Sequence, residues 1–231
     1  MTRRDLFAWA SGAYDAPAEY GDILRRSDGW VARPTMHDDC ADLVERLHYS
    51  GGCARVSSLA CGLFDPRGLL VGAALWMPPA PGASTWVSTR TGCGYAGVIG
   101  LSRLAIEDAV PRNAASFLLA ESVRHLRVRA LQVAVTFADG AQGHDGGVYR
   151  ASNWLPAGAG EPRERWFDRQ GRQRSAKATV NLTVADMLGR GWTKKPGHPK
   201  PRFLLAIQKR FRRAVAVAAT AEQRMTGGGA R

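Results

Sequence analysis

Residues 131–154, Leu-Gln-Val-Ala-Val-Thr-Phe-Ala-Asp-Gly-Ala-Gln-Gly-His-Asp-Gly-Gly-Val-Tyr-Arg-Ala-Ser-Asn-Trp, contain the change of pattern that decides the fold. Apolar residues alternate with others over Leu131–Phe137, which is typical of a β-strand. A glycine-rich turn follows, and we predict a short helix from Gly146 to Leu155. A strand that leads directly into a helix is typical of mixed α/β folds.

The same stretch concentrates polar side chains that a hydrophobic core does not need. Asp139 follows the strand, and His144 lies just before the predicted helix. Tyr149 and Asn153 are four residues apart, so a helix places both on one face. Because α/β folds carry ligands at strand ends, we predict a site here. Asp139 would be a base, an acceptor that positions an amine, or a metal ligand, and Tyr149 would donate a proton or stack on a base. The alternative is that Asp139 caps the helix and Asn153 closes a loop.

The rest of the chain predicts further helices and strands around this unit. An apolar stripe, a Pro-Arg-Gly turn between two apolar runs and a second apolar helix precede it. In chain order, the predicted elements are a helix over Thr35–Leu47, strands over Leu59–Phe64 and Leu69–Trp76, a loop over Pro78–Ala83, a strand within Tyr95–Ile106 and a helix over Ala114–Leu126. This order predicts a mixed α/β (α+β) fold with a central mixed sheet flanked by helices.

Beyond the Asp139 segment, the pattern is less regular. Ala178–Val184 is rich in residues that favour strands, and Lys194–Lys200 contains two prolines that make it a stiff basic loop. Phe203–Met225 predicts a basic helix, and the glycine-rich end predicts disorder.

Length and charge favour one domain with a basic end. The 231 residues are 45% hydrophobic, which is enough for one core. We predict an N-terminal arm over 1–30, a catalytic domain over 31–207 and a basic tail over 208–231. Residues 1–160 hold 15 Lys and Arg against 15 Asp and Glu, whereas residues 161–231 hold 17 against 5, a net charge of +12. A neutral body with a basic end suits a protein that binds a polyanion, although a solvated basic tail has the same composition.

The sequence also predicts where the protein works. It has no apolar run of membrane-spanning length and no apolar signal core at its start. The four cysteines form no Cys-x-x-Cys pair, which favours free thiols in a reducing compartment. We therefore expect a soluble cytoplasmic protein without a membrane partner.

Two segments upstream of Asp139 add candidate site residues. His48, in His48-Tyr-Ser-Gly51, follows the first predicted helix, where it could donate a proton, accept one, bind a metal or only cap the helix. Arg103 lies inside a predicted strand, which suggests an anionic ligand or a buried acid as its partner. Asn113 and Ser116 lie at the start of the next helix, where they could bind a cofactor's phosphate or carbonyl or act as caps alone.

A basic segment downstream, Trp192–Lys200, is a candidate contact with nucleic acid. A stiff loop that carries Lys194, Lys195 and Lys200 loses little entropy when it binds phosphates, and Trp192 could stack at a base step. Arg202 extends this set. The alternative is a basic surface loop anchored by its tryptophan.

Together, the four segments resemble the Mom family of phage DNA-modification enzymes, whose fold is similar to that of GNAT acetyltransferases. The resemblance is carried by His48-Tyr-Ser, by Gly100–Asp108 with Pro111–Phe117, by the block from Asp139 to Trp154, and by Trp192–Lys200. It implies conversion of adenine in DNA to N6-carbamoylmethyladenine, which protects phage DNA from restriction. Double-stranded DNA, a small-molecule donor and, for a phage-encoded chain, the host bacterial cytoplasm are implied with it.

The resemblance also implies roles for single residues. The catalytic set is His48, Tyr49, Asp139 and Tyr149; the donor-binding set is Arg103, Asn113 and Ser116; the DNA-binding set is His144, Asn153, Trp192, Lys194, Lys195, Lys200 and Arg202.

Several alternatives stay open. The cofactor is unknown: acetyl-CoA follows by analogy with the fold, yet Val110–Ala115 lacks the usual glycine-rich pyrophosphate loop. An iron or zinc ion bound by His48, Asp139 and His144 is also compatible with the sequence. The other function classes are a GNAT acyl-CoA N-acyltransferase acting on a protein or small amine, and a non-catalytic DNA-binding protein.

Overall fold

A mixed β-sheet organises the chain, as seen in a computed structural model that describes residues 22–49, 52–160, 164–174, 179–197 and 199–227. Most of the predicted arm and the predicted disordered end lie outside these residues. Within them, the strands are β1 Val31–Pro34, β2 Leu59–Phe64, β3 Leu70–Met77, β4 Val98–Ile106, β5 Val133–Phe137, β6 Leu155–Gly160, β7 Glu164–Phe167, β8 Thr193–Pro196 and β9 Lys200–Ala206. The α-helices are α1 His37–Leu47, α2 Pro81–Thr91, α3 Ala114–Val128, α4 Gly147–Ala151, α5 Val184–Gly189 and α6 Arg212–Gly227.

The main sheet has seven strands in the order β1-β2-β3-β4-β5-β9-β6, and β7 pairs with β8 in a separate two-stranded sheet. The β4–β5 pair is parallel, while the other neighbours are antiparallel. Parallel pairing joins only Val98–Gly100 to Val133–Val135. Beyond Gly100, β4 continues along β3 to Ile106, so the sheet opens between β4 and β5.

Helices cover both faces of the sheet and form the predicted mixed α/β fold. On one face, Leu118, Leu119 and Leu126 of α3 are fully buried with Trp76 and Phe203. On the other, α1 packs on small strand residues and α6 packs over β5 and β9. The α1 contacts join Cys40, Leu43 and Val44 to Ala60, Ala73 and Ala105, and the α6 contacts join Val215, Ala218 and Ala219 to Val133, Val135 and Leu204. Small side chains on the strands let a helix approach closely, which explains the alanines there.

Helix α2 corrects the expectation of a loop over Pro78–Ala83. The helix begins at Pro81, which lies in its first turn. Proline suits that position because its missing N–H has no intrahelical partner there. The apolar residues of α2 do not recur at helical spacing, so the sequence pattern gave no sign of this helix.

The prediction of one long helix from Phe203 is wrong. Phe203 lies in β9, which pairs with β5 on one side and β6 on the other. A strand buried on both faces carries consecutive apolar residues, and such a run resembles part of a buried helix. The helix itself starts at Arg212, within the predicted basic tail 208–231, and packs on the sheet through Val215, Ala218 and Ala219.

Two further expectations need correction. The described part of the predicted strand Ala178–Val184 forms a turn, and Thr183 caps α5 through a reciprocal capping box with Asp186. Of the stiff loop predicted from Lys194 to Lys200, both ends belong to strands β8 and β9. Leu24 and Trp30, inside the predicted arm, are buried in the main core.

None of the helices among the described residues has both the length and the apolar character needed to cross a bilayer. The four cysteines are free thiols, and all but Cys53 are buried.

Candidate functional site

A cavity of about 830 Å³ occupies the opening between β4 and β5. Its walls are Gly100–Ile106 of β4, the end of β5 through Asp139, the turn and helix from Gly143 to Tyr149, and the residues that follow α1. Its volume lies within the range of small-molecule sites. The cavity therefore follows from the short pairing of β4 with β5.

Asp139 follows the C-terminal end of β5, and its Oδ2 atom accepts hydrogen bonds from side chains. Its Oδ2 receives the hydroxyl of Tyr49 at 3.0 Å and the ammonium of Lys200 at 2.9 Å. Its main-chain carbonyl accepts from the N–H groups of Gln142 and His144, which shapes the following turn. The Asp139 side chain is only 14% exposed, so these donors bind a carboxylate that is largely shielded from solvent.

Tyr49 is a hydrogen-bond donor in this arrangement. Burial, followed by the charge and hydrogen bond of Asp139, raises the pKa of Tyr49 to about 12. The phenol therefore stays protonated near neutral pH and donates to the carboxylate.

His48 carries a neutral imidazole. Burial is the main cause that lowers its pKa to about 4, with Arg103 and His144 adding to the effect and Asp139 opposing it. Its ring lies 4.3 Å from the ring of Tyr49, and the His144 ring lies 5.7 Å from Tyr49 on the cavity wall. His48 is also the C-cap of α1, so the capping role and a place in the cavity coincide.

Tyr149 lines the cavity from α4 and packs against the core. Its ring lies 5.2 Å from Phe203 and 5.8 Å from Trp154. Burial raises the pKa of Tyr149, and a hydrogen bond with Thr136 opposes that rise. The phenol is therefore protonated and anchored to β5.

Gly146 permits this packing, and the sequence analysis did not single it out. Its φ is +82°, and a Cβ there would lie 2.1 Å from Cζ of Phe203. The glycine-rich turn before α4 was visible in sequence, whereas its contact with β9 was not.

Arg103 lines the cavity, but its hydrogen bonds differ from the expectation. Nε donates to the carbonyl of Gly52 at 3.0 Å, and Nη1 donates to the carbonyl of Ser102 at 2.7 Å. The guanidinium therefore donates its hydrogen bonds to main-chain carbonyl oxygens, whereas the sequence had suggested an acid as its partner. The side chain therefore ties the segment after α1 to β4 and places positive charge near His48.

Asn113 and Ser116 lie outside the cavity walls, at the start of α3. The amide of Asn113 accepts from the N–H of Leu24 at 2.7 Å and donates to its carbonyl at 3.0 Å. Ser116 Oγ donates to the carbonyl of Asn113 at 2.9 Å. Asn113 thereby fastens the segment before β1 to α3, and its side chain makes no capping hydrogen bond to the helix.

Four of the seven predicted DNA contacts lie in three different places. His144 and Lys200 line the cavity. Asn153 lies outside the cavity walls, and with a φ of +62° it lies in the turn after α4. This position matches the alternative prediction that Asn153 closes a loop. Arg202 packs its guanidinium 3.6 Å from the ring centre of Trp86, and burial lowers its pKa.

Of the other three predicted contacts, Lys194 and Lys195 lie in β8 and Trp192 directly precedes it. Lys194 forms an ion pair with Glu164, and Lys195 lies 4.5 Å over the ring of Phe167. Trp192 lies beside the guanidinium groups of Arg174 and Arg190.

The described ranges contain no group of three His, Cys, Asp or Glu side chains arranged to hold a metal ion. His48, Asp139 and His144 therefore do not form the ligand set that the sequence left open.

Comparison with known proteins identifies the family. The profile of the Mom protein family matches residues 30–226, so the chain belongs to the Mom protein family and the resemblance is confirmed. No curated protein matches the sequence significantly.

Several solved acetyltransferases have a similar fold. A GNAT superfamily phosphinothricin acetyltransferase from Sinorhizobium meliloti, solved with acetyl-CoA, is 13% identical, with a TM-score of 0.48 over 77% of this chain and 88% of that one. An N-acetyltransferase from Staphylococcus aureus Mu50 is 11% identical, with a TM-score of 0.46 over 78% and 99%. The ribosomal-protein-S18-alanine N-acetyltransferase from Escherichia coli is 10% identical, with a TM-score of 0.45 over 78% and 94%. At these identities the likeness concerns the fold alone.

Proposed function

We propose that this Mom-family protein is a transferase that converts adenine in DNA to N6-carbamoylmethyladenine. The observation that carries the proposal is the placement of Asp139. Its carboxylate, held by Tyr49 and Lys200, lies at a cavity that also contains the neutral imidazole of His48. An acceptor beside a neutral base suits an amine substrate.

The N6 amine of adenine is a weak nucleophile because its lone pair is delocalised into the ring. In the proposed reaction, Asp139 accepts a hydrogen bond from one N6–H and orients the amine toward the donor carbon. As the N6–C bond forms, the other N6–H becomes acidic and its proton passes to His48. A base with a low pKa is sufficient at that stage because the amine has become positively charged. The donor's leaving group departs with the electron pair of its bond to carbon.

The paired base must leave the duplex to reach this carboxylate. Extrusion costs a few kcal/mol, which contacts in the cavity and along the backbone offset. Tyr49 and His144 present aromatic rings at the cavity wall that suit stacking on an extruded base.

The donor fits the open edge of β4. Pairing with β5 stops at Gly100, so the strand beyond it presents main-chain groups to the cavity. An extended donor that contains amides, such as acetyl-CoA, can hydrogen-bond to such an edge. For the carbamoylmethyl product, the reacting carbon of the donor must be the CH2 of a glycinamide-like unit that carries a leaving group, whereas acetyl transfer from acetyl-CoA would give N6-acetyladenine. Of the three predicted donor-binding residues, Arg103 alone lines this cavity.

Nucleoside mass spectrometry tests the proposal. Plasmid DNA from bacteria that express the protein should contain a deoxyadenosine heavier by one carbamoylmethyl group. Asp139→Asn should abolish the product, whereas Asp108→Asn, which changes an exposed acid outside the cavity, should not. An unmodified digest from folded, DNA-binding protein would contradict the proposal.

The open β4 edge also favours a second candidate, an acyl-CoA N-acyltransferase acting on a protein or small amine. Saturable acetyl-CoA binding and acetylation of an amine, without modified nucleosides, would support it over the first.

A further inference from the structure

The β7–β8 sheet forms a unit apart from the main sheet. Its strands are antiparallel, with Arg165 opposite Lys195 and Trp166 opposite Lys194. All four residues of β8 are exposed. Together with the described connecting residues, this unit comprises residues 164–174 and 179–196 and is called the basic ribbon below.

The basic ribbon is strongly cationic. Residues 164–174 and 179–196 contain seven Lys and Arg against three Asp and Glu, which gives a net charge of 7 − 3 = +4. Two tryptophans, Trp166 and Trp192, lie among these cations. Positive charge interleaved with aromatic rings is typical of surfaces that bind nucleic acid.

Two cations stand directly opposite each other across the strands. Arg165 and Lys195 share one face of the ribbon, and Lys195 is held over the ring of Phe167. Like charges in such a cross-strand pair destabilise a sheet. An anion placed between them removes that repulsion.

A buried carboxylate organises the neighbouring arginines. Asp168 is 8% exposed, and its side chain accepts hydrogen bonds from the N–H of Gln170 and from the N–H and Nε of Arg172. Arg174 reaches the same carboxylate at 3.5 Å and also lies 5.1 Å from the ring centre of Trp192. Arginines held in this way lose little conformational freedom when they bind phosphate.

The ribbon joins the cavity wall directly. β8 ends at Pro196, and Lys200, which begins β9, is paired with Asp139. Pro199 lies against the turn after Asp139, because a Cβ on Gly140 would be 3.3 Å from its carbonyl oxygen. The end of β8 is therefore close in sequence to the cavity wall.

We propose that the basic ribbon holds the phosphate backbone of duplex DNA, with Arg165 and Lys195 contacting phosphates and the Asp168-braced arginines extending the contact. Asn153 and Arg202 take no part in this surface. The inference rests on the proposed function for the choice of DNA as partner.

Fluorescence anisotropy with a labelled DNA duplex tests the inference, measured over a series of salt concentrations. In the full chain, Arg165→Gln with Lys195→Gln should reduce the slope of log affinity against log salt by about 1.8, about 0.9 for each lost phosphate contact. Affinity at physiological salt should fall by about tenfold. The matched control is Lys209→Gln with Arg213→Gln, which also removes two exposed positive charges. These two residues follow the far end of β9, and β9 itself is about 20 Å long at about 3.3 Å per strand residue.

A second variant separates charge from folding. Arg165→Lys with Lys195→Arg keeps both charges and should retain the wild-type slope. An unchanged slope in the double glutamine variant, or an equal loss in the control, overturns the inference. The inference is also overturned if the double glutamine variant loses more affinity for vesicles containing phosphatidylserine than for DNA.

The experiments can contradict the proposed function and the ribbon inference independently of each other. If the wild-type protein binds duplex through the ribbon but forms no modified nucleoside, the proposed function fails and the inference stands. If it modifies DNA and the glutamine variant binds and modifies like wild type, the inference fails alone.

Discussion

Asp139 and Lys200 form an ion pair of 2.9 Å although 61 residues separate them in sequence. Lys200 starts the strand that pairs with β5, so strand pairing brings its ammonium to the carboxylate at the end of β5. Lys200 was predicted to contact DNA. In the structure it lines the cavity and binds the oxygen that Tyr49 also contacts.

Lys200→Met should lower the rate of DNA modification by about three- to tenfold, because one hydrogen-bond donor to Asp139 is lost and the pair is partly exposed. The salt dependence of DNA binding should change little. Both are measured on the same preparation, with Lys209→Met as control. A normal rate with a reduced salt slope would return Lys200 to the DNA-binding set.

Tyr49→Phe keeps the ring beside His48 and removes the hydroxyl that donates to Asp139. We expect about a tenfold lower modification rate, since a hydrogen bond to a charged group contributes about 1.5–3 kcal/mol. The midpoint of urea unfolding should stay close to wild type. Tyr95→Phe, at an exposed tyrosine outside the cavity, is the control, and equal rates in the two variants would contradict the role of the hydroxyl.

His48 makes stability depend on pH. Its folded pKa of about 4 lies below the ordinary 6.5, so the unfolded chain binds more protons between those values. The contribution of His48 is therefore fully present above pH 6.5 and is lost as pH falls toward 4. Urea unfolding at pH 7 and pH 5 should differ less in His48→Gln than in wild type. An imidazole NMR titration with a midpoint near 6.5 would refute the neutral form.

Gly146→Ala should destabilise the protein by about 2–5 kcal/mol, since left-handed backbone strain adds to a collision with the Phe203 ring. Gly143→Ala is the matched control for Gly146→Ala. Gly143 also has a positive φ, of +72°, but a Cβ at this position would meet no atom within 4 Å. That variant should lose only about 1–2 kcal/mol. Thermal and urea unfolding measure both, and equal losses would show that the close packing with Phe203 does not matter.

The sequence predicted local elements better than long-range pairing. The hairpin β2–β3, helix α3 and strand β5 were predicted close to their observed bounds, because each carries its own periodicity or turn residues. β9 was taken for part of a helix, because a central strand buried on both faces has no alternation.

The same distinction applies to the site. Asp139, His144 and Tyr149 were predicted together, and they are near one another in sequence. His48 and Tyr49 reach them across about 90 residues, and the resemblance to the Mom family, rather than any pattern in the chain, included Tyr49. The contacts of Lys200, Asn113 and Arg103 were not predicted, because each involves a partner that only the folded chain brings near.

β9 lies between β5 and β6, although it follows both in sequence. During synthesis, the facing edges of these two strands emerge first and stay without their partner until residues 200–206 leave the ribosome. Unpaired edges of this kind promote aggregation. The strand that completes the sheet also delivers the cation that balances Asp139. A chain stopped before Lys200 therefore lacks both the strand that joins β5 to β6 and the ammonium group that pairs with Asp139.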